Sequence, residues 1–416
     1  MASLVIRGGK RLSGEVVVSG AKNAALPILS ATILLDTNST IHNVPNLTDI
    51  RTMIRVLRSL GIRTEYVEPN MVKTWGTDKV KHVAPYDLVT KMRASFFVAG
   101  PILAKNGMAK VPLPGGCAIG TRPVDIHLRG FQALGAEVNI EHGFVELKAK
   151  KLVGQRVYLD FPSVGATENI MMAATLSKGT TIIENAAQEP EIIDLADFLK
   201  MAGAKINGAG TNIIEIEGVS SLKGIEYDVI PDRIETGTLI IAAAITKGDV
   251  IIKNTKPEHI GPVIQKLKEA GVQIETEDKN IIIKKGDGYK SIDFETKPYP
   301  GFPTDMQAQM MTLLSVSNGI SIVKETVFEN RFMHAQELNR MGAKIRVKEH
   351  TAIIEGVDKL SGAPVKTTDL RAGAALVIAG LAAEGETVIY GVNHIVRGYD
   401  RLPEKLLSLG ADIEEI

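Results

Sequence analysis

The sequence predicts an α/β protein assembled from six copies of one βαβαββ-like module, and two recurring patterns carry that prediction. The first is an amphipathic helix that ends in Gly and runs into a short alternating strand. It reads Leu60-Gly61-Ile-Arg-Thr, Leu134-Gly135-Ala-Glu-Val, Ala202-Gly203-Ala-Lys-Ile, Ala270-Gly271-Val-Gln-Ile, Met341-Gly342-Ala-Lys-Ile and Leu409-Gly410-Ala-Asp-Ile. Successive glycines lie 74, 68, 68, 71 and 68 residues apart. Self-similarity at a fixed spacing is the signature of a repeated supersecondary unit. Each Gly stands where a helix C-terminus calls for a left-handed residue.

The second pattern is a helix of small apolar residues, a turn, and a β-branched strand. Ile170–Leu176 precedes Lys178-Gly179, Leu239–Ile245 precedes Lys247-Gly248, and Ala374–Ala383 precedes Glu384-Gly385; Gln309–Ser317 with Gly319 and Ala24–Leu35 with Asp36 match too. These helices are apolar nearly all round, so they are expected to be buried, whereas the Gly-terminated ones show one apolar face. Each module thus has an inner and an outer helix. On this evidence alone, a repeat scaffold without chemistry is an open alternative.

Composition sets the outer bounds. The 416 residues carry 48 Lys+Arg against 48 Asp+Glu, for a formal net charge of +0, and are 44% hydrophobic. At roughly 150 residues per domain, two or three domains are expected. A neutral balance excludes the basic excess of a dedicated nucleic-acid or membrane-surface binder, and 5% aromatics offer few stacking platforms for single strands. The single cysteine, Cys117, can close no intramolecular disulfide and builds no cysteine-rich metal site. The first ten residues lack the apolar region of a signal peptide, and the longest small-apolar stretches are too short to span a bilayer. A cytoplasmic, non-membrane protein is the expectation.

The inner-helix starts hold the polar residues. They read Gly20-Ala-Lys22-Asn23, Lys91-Met-Arg93-Ala-Ser95, Ser163-Val-Gly165-Ala-Thr167-Glu168, Pro231-Asp232-Arg233-Ile-Glu235, Pro303-Thr304-Asp305-Met-Gln307 and Thr368-Asp369-Leu-Arg371. Helix N-termini present unpaired N–H groups and partial positive charge, so they attract anions. Asp305 and Asp369 fit plain N-caps. Lys22, Arg93 and Arg371 do not, because a cation there opposes the helix dipole. An anionic ligand accounts for them.

Around the cysteine runs Pro112-Leu-Pro114-Gly115-Gly116-Cys117-Ala-Ile-Gly120-Thr-Arg122-Pro123-Val-Asp125-Ile-His127. Three glycines and three prolines between 112 and 123 describe a loop. A lone cysteine is commonly a small buried hydrophobe; in such a loop, beside Arg122, it is also a candidate nucleophile or proton donor. There is no GxGxxG after a strand, no P-loop, no HExxH and no GxSxG elbow. The eight His show no ligand spacing, so no protein-built metal site is expected.

Several of these segments together resemble the enolpyruvyl transferases, the EPSP synthase superfamily. They are Ala21-Lys22-Asn23, Met92-Arg93-Ala-Ser95, Leu113-Pro-Gly-Gly-Cys117 through Arg122-Pro-Val-Asp125, Pro231-Asp232-Arg-Ile-Glu-Thr-Gly237, Phe302-Pro-Thr-Asp305-Met-Gln-Ala-Gln309, Glu325 to Phe332, Thr368-Asp369-Leu-Arg371 and His394-Ile-Val-Arg397-Gly-Tyr. The resemblance runs from end to end. It implies an inside-out α/β barrel of two domains with three βαβαββ units each, residues 21–230 and residues 1–20 with 231–416, and a substrate cleft between them. The Pro-Gly-Gly-Cys loop is similar to the branch that joins the enolpyruvyl group of phosphoenolpyruvate to the 3-hydroxyl of UDP-N-acetylglucosamine, the first committed step of peptidoglycan synthesis and the target of the epoxide fosfomycin.

By resemblance, Cys117 is the general acid toward phosphoenolpyruvate and Asp305 the base at the sugar hydroxyl. Lys22 and Arg397 complete the catalytic set, with Arg122 in the phosphate and carboxylate clamp and Asn23 beside it. Arg331, Asp369 and Arg371 match further substrate positions, Arg331 at the carboxylate. Arg93, Arg122, Pro123, Val124, Asp125, Ile126, Ser163, Val164, Gly165 and Val327 match contacts to the nucleotide sugar. No cofactor is implied, and no protein partner. Where some relatives carry Lys just before Ser-Val-Gly-Ala, this chain has Asp160-Phe161-Pro162, so a diphosphate contact from that position does not carry over. The alternatives are the sister enzyme acting on shikimate 3-phosphate, which does not have the cysteine loop, and a non-catalytic sugar-nucleotide binder.

Overall fold

Helix ends and strand pairings follow the repeat. The computed structural model describes residues 3–115, 124–286 and 288–416. They fall into two compact units, residues 3–19 with 231–416 and residues 20–115 with 124–230, each closing around its own apolar core.

All six repeat glycines adopt left-handed backbone: Gly61 at φ 94°, Gly135 at 92°, Gly203 at 111°, Gly271 at 98°, Gly342 at 91° and Gly410 at 92°. Each closes the same double hydrogen bond. Gly61 N–H donates to Arg58 O and Ile62 N–H to Leu57 O, and the other five repeat that pattern. A side chain at this φ would crowd the preceding carbonyl, so the turn requires glycine.

Among the described residues five sheets share one strand order. In the unit of residues 3–19 and 231–416, Asp249–Lys253 pairs in parallel with Ser13–Val17 and antiparallel with Asn280–Lys284, which forms a hairpin with Gln273–Glu277. The same arrangement recurs around Thr180–Glu184, Ser39–His42, Ile320–Lys324 and Glu386–Tyr390. In the last of these the antiparallel partner is Ser3–Arg7, which also pairs with Asp412–Glu415. The chain start is thereby woven into the sheet of its end. The sixth sheet has three strands, Met108–Pro112, Phe144–Lys148 and Glu137–Glu141, with a parallel bridge from Val83 to Lys110.

The small-residue helices are buried as their composition requires. Every residue of Arg233–Ile245 except Arg233 is buried, as is all of Leu370–Ala382 except Leu370 and Ala382. The second inner helix departs from the expected single element: Arg93–Val98 is a 3-10 turn leading into the α-helix Ala99–Asn106. Gly100 lies so close to Asn169 that an added Cβ would sit 2.3 Å from its carbonyl oxygen, and Pro101 supplies no N–H, so the chain tightens there. Among the described residues no helix is long and apolar enough to cross a membrane.

One buried ion pair anchors the start of Arg233–Ile245. Glu235 and Lys405 form a hydrogen-bonded pair with side chains 3% and 12% exposed. Ser19 N–H donates to Glu235 Oε2 at 3.2 Å, and Lys405 Nζ donates to Ser19 Oγ at 2.6 Å. Burial pushes the Glu235 carboxyl up to about 7 against the opposing pull of Lys405. A carboxyl raised on folding favours the folded state at low pH and loses that contribution as pH rises through its folded value. Lys405→Met is therefore expected to cost about 3 kcal/mol near pH 8, where Glu235 is left as an uncompensated buried charge, and progressively less below about pH 6, where the carboxyl takes up a proton. Denaturant unfolding at both pH values checks this; an equal loss at the two would rule out the charge as the cause.

Candidate active site

In the unit of residues 3–19 and 231–416, the centre of the polar cluster is Asp305. It sits on the 3-10 turn Thr304–Met306 that leads into the buried helix Gln307–Leu314. Its Oδ1 accepts from Arg331 Nη2 at 2.8 Å, and its Oδ2 accepts from Arg371 Nε at 3.2 Å and Nη2 at 2.9 Å. The two arginine side chains are 4% and 3% exposed, while that of Asp305 is 27% exposed. Two buried cations thus hold one carboxylate at the rim. Burial on its own would raise the Asp305 carboxyl, but Arg371 and then Arg331 outweigh it and hold it well below the usual carboxylate range.

Asp305 is therefore not a helix cap, one of the two roles open to it from sequence. Asp369 is one: its Oδ1 accepts from Arg371 N–H at 2.9 Å and Ala372 N–H at 3.0 Å and starts the helix Leu370–Ala382. A protein carboxylate, that of Asp305, already offsets part of the charge of Arg371, beside the anionic ligand expected from sequence. His334, buried beside Arg331 and Asp369, is pushed down to about 4, chiefly by burial, and is neutral at pH 7.

Glu325 holds this cluster in register. Its buried carboxylate accepts from Thr296 Oγ1 at 2.8 Å, Thr304 Oγ1 at 2.9 Å, Val327 N–H at 2.8 Å and Phe328 N–H at 3.1 Å. It ties the residue before Asp305 to the backbone of Val327, which precedes Arg331. Arg397 ends the turn Val392–Arg397, partly buried.

In the other unit, Lys22 is the first residue of the helix Lys22–Ala31 and is buried. Its Nζ lies 3.5 Å from Asp49 Oδ2, in the first turn of Thr48–Ser59. Again a protein carboxylate offsets a cation that opposes the helix dipole. Asn23 follows it, partly buried.

Arg93, the Asp125–Ile126 helix start and Ser163–Gly165 come together around His127 and Asn169. Ser163 caps Val164–Ala174, its Oγ accepting from Ala166 N–H at 3.3 Å. A Cβ added at Gly165 would lie 3.3 Å from His127 Cε1. Asn169 Oδ1 accepts from Gly100 N–H at 2.8 Å, and its Nδ2 donates to Phe96 O at 3.0 Å and lies 3.2 Å from His127 Nδ1. His127 is pushed down to about 3 by burial and by Arg93, so it is a neutral spacer. Asp160 pairs with Arg129, which also lies 3.4 Å from Asp125. Val124 is buried just ahead of this helix.

Cys117, Arg122 and Pro123 lie outside the described residues. Among the described residues, no group of three or more His, Cys, Asp or Glu is arranged to hold a metal ion. Sequence reading missed Glu325, Asn169, His127 and Asp49 as organising residues. Their partners lie 2 to 29 residues away for Glu325 and 42 to 73 for Asn169, and no local spacing marks them.

The whole chain is similar to known proteins. Residues 6–406 match the family described as EPSP synthase (3-phosphoshikimate 1-carboxyvinyltransferase). The chain is 58% identical over 419 residues to UDP-N-acetylglucosamine 1-carboxyvinyltransferase 2 of Carboxydothermus hydrogenoformans, covering 100% of both chains. It is 53% identical to UDP-N-acetylglucosamine 1-carboxyvinyltransferase of Halothermothrix orenii, again over 100% of both. Its fold superposes on the crystal structure of the enolpyruvyl transferase NikO from Streptomyces tendae with a TM-score of 0.89 at 25% identity, covering 100% of this chain and 98% of that one. An EPSP synthase structure from Acinetobacter baumannii shares the fold at a TM-score of 0.79, with 20% identity and 100% of each chain covered. A mixed α/β architecture shared over the full length and a polar cluster seated on inner-helix starts go with the sequence matches, and the chain belongs to the EPSP synthase family of enolpyruvyl transferases.

Proposed function

We propose that this protein transfers the enolpyruvyl group of phosphoenolpyruvate to the 3-hydroxyl of UDP-N-acetylglucosamine, releasing phosphate, and so catalyses the first committed step of peptidoglycan synthesis in the cytoplasm. The observation that carries this reading is 58% identity along the whole chain to a relative of that name. The EPSP synthase structures support the fold alone, at 20% identity. We further infer that the six sheets and their buried helices are six modules of an inside-out α/β barrel, three to each unit.

The chemistry needs one acid, one base and a set of cations. Cys117 donates a proton to the methylene carbon of phosphoenolpyruvate, which leaves the neighbouring carbon electrophilic. The sugar 3-hydroxyl attacks that carbon, forming the new C–O bond, and its proton passes to Asp305. The Cys117 thiolate then takes a proton from the new methyl group, the C–O bond to phosphate breaks, the double bond is restored, and Asp305 gives its proton to the departing phosphate. Lys22, Arg122 and Arg397 hold the phosphate and carboxylate, with Asn23 beside them, and Arg93, Pro123, Val124, Asp125, Ile126, Ser163, Val164, Gly165 and Val327 line the nucleotide sugar. No redox step occurs, so no cofactor is required.

The paired state of Asp305 constrains this scheme. A carboxylate held far below its ordinary range is a poor base, since its affinity for a proton is low. The carboxylate of phosphoenolpyruvate is itself an anion that suits two guanidinium groups. When it takes up hydrogen bonds from Arg331 and Arg371, Asp305 is released and its basicity rises. Binding phosphoenolpyruvate thereby prepares the base for the sugar hydroxyl.

Phosphate release from phosphoenolpyruvate, with UDP-N-acetylglucosamine or shikimate 3-phosphate as acceptor, tests the reading. Release with the nucleotide sugar only is expected. Release with shikimate 3-phosphate would assign the sister reaction, and release with neither would leave a binding protein in an enzyme's fold.

A further inference from the structure

Behind the Asp305–Arg371 pair lies a fully buried polar cluster that the scheme above does not use. The Arg371 Cζ sits 5.3 Å from the ring centroid of Tyr399. The Tyr399 hydroxyl lies 3.0 Å from Thr238 Oγ1 and 3.1 Å from Gln309 Nε2, and Gln309 Nε2 also lies 3.2 Å from Thr238 Oγ1. Tyr399, Thr238 and Gln309 are 2%, 1% and 0% exposed. Hydrogen-bond direction in the cluster is fixed by one outside contact. Thr238 Oγ1 donates to Ile234 O at 2.7 Å, so within the cluster it accepts. Tyr399 therefore donates to Thr238, and the two amide hydrogens of Gln309 go to Thr238 and Tyr399. With both hydroxyls and the amide hydrogens engaged in this way the cluster holds one geometry, while Gln309 Oε1 is buried without a hydrogen-bond partner.

We infer that Tyr399, locked by Thr238 and Gln309, is a positioning residue that keeps the Arg371 guanidinium in place when Asp305 turns to its proton-accepting task. The guanidinium of Arg371 donates to Asp305 from Nε and Nη2, its Nη1 is buried without a hydrogen bond of its own, and it meets Tyr399 both over the ring and at the hydroxyl. A desolvated guanidinium over an aromatic face is held by the ring quadrupole. If Asp305 were the sole restraint, releasing it as a base would release Arg371 as well, and the anion that Arg371 holds would be lost. The ring supplies a second restraint that does not depend on the base.

This inference rests on the proposed function, and its test separates the two. Tyr399→Leu removes the ring, Tyr399→Phe keeps it without the hydroxyl, and Gln309→Met removes the amide that locks it. With UDP-N-acetylglucosamine saturating, Tyr399→Leu is expected to lower kcat/KM for phosphoenolpyruvate about 30-fold, as loss of a buried cation–π contact implies. The Kd for UDP-N-acetylglucosamine, read by calorimetry, stays within about twofold of the parent, and Tyr399→Phe, which keeps the ring but loses the hydroxyl held by Thr238 and Gln309, recovers only part of the loss. The acid limb of the kcat/KM profile for phosphoenolpyruvate, which reports the free enzyme, moves to higher pH in Tyr399→Leu, because a displaced Arg371 no longer holds Asp305 ionised. The other charged or titratable groups facing the pair are Arg331, Asp369, His334 and Asp232, and all are unaltered in these variants. Equal losses for both substrates with an unmoved acid limb would overturn the inference, since ordinary packing damage predicts that. If Tyr399→Leu does not fold, Gln309→Met decides, with an unchanged kcat/KM for phosphoenolpyruvate counting against the lock. If the parent itself turns over neither acceptor, the functional reading fails instead. Calorimetry with phosphoenolpyruvate alone then still decides, and parent-like binding by Tyr399→Leu overturns the inference.

Discussion

Asp305→Asn is expected to lower turnover about a thousandfold, the usual weight of a general base, and also to lower stability by about 2–3 kcal/mol. The second effect distinguishes this site from one where the base is free. Arg331 and Arg371 are nearly fully buried, and Asp305 supplies both oxygens that face them. An amide keeps one acceptor and no charge, so two desolvated guanidinium groups lose their counterion. An added anion can take its place. Inorganic phosphate is therefore expected to raise the Tm of Asp305→Asn more than that of the parent, by mass action on the folded state. Thermal melts with and without phosphate, beside steady-state turnover, check both halves. Parent-like stability in the variant would mean that the Asp305–arginine pairs do not form in solution. The pH dependence has a fixed sign. A carboxyl held below its ordinary value stabilises the fold fully above about pH 4–5 and loses that contribution as pH falls toward the folded value. Because that value lies far below the usual range, the pair is intact across neutral pH and only strong acid removes it.

The same carboxylate shows where sequence stops being informative. A cap is a local device, and Asp369 and Ser163 act as caps within three residues of themselves, so their part is readable from position alone. Asp305 looks equivalent in sequence. Its partners are 26 and 66 residues away, and the packing of Leu370–Ala382 beside Gln307–Leu314 brings Arg371 to it. The repeat glycines were legible for the opposite reason. Each is required by its own backbone turn, whatever surrounds it, so six left-handed glycines could be placed from six short segments. The Tyr399 cluster joins residues 71 to 161 positions apart and leaves no local trace. The resemblance supplied what periodicity could not, naming Lys22, Asp305, Arg331 and Arg371 as one chemistry. It gave no part to Asp49, and none to Glu325 beyond its place in a matching segment, though their carboxylates set two of those elements. A cation at a helix start signalled that an anion must answer it, and for both Lys22 and Arg371 that anion includes a side chain of the protein.

Cys117→Ala is expected to lower kcat about a thousandfold while the Kd for UDP-N-acetylglucosamine changes less than about twofold, because the acid acts on the other substrate. The reason lies in what the thiol must be when it acts. An unperturbed thiol has a pKa of about 8.5 and is mostly protonated at pH 7. Arg122, five residues along the chain, and Lys22 in the same substrate clamp would lower that value and waste the proton. The phosphate of phosphoenolpyruvate opposes them: a dianion beside the thiol disfavours a second negative charge. The thiol pKa is therefore expected to rise when phosphoenolpyruvate binds, so that the acid is most fully protonated when its substrate is present. Because the chain has one cysteine, thiolate ultraviolet absorbance reports this group alone, and a single fosfomycin adduct, seen as one mass increment and absent from Cys117→Ala, identifies it. A thiol pKa that falls on adding phosphoenolpyruvate would show that the cations dominate with substrate bound. The scheme would then need a different proton donor, with Cys117 left as a nucleophile that forms an adduct.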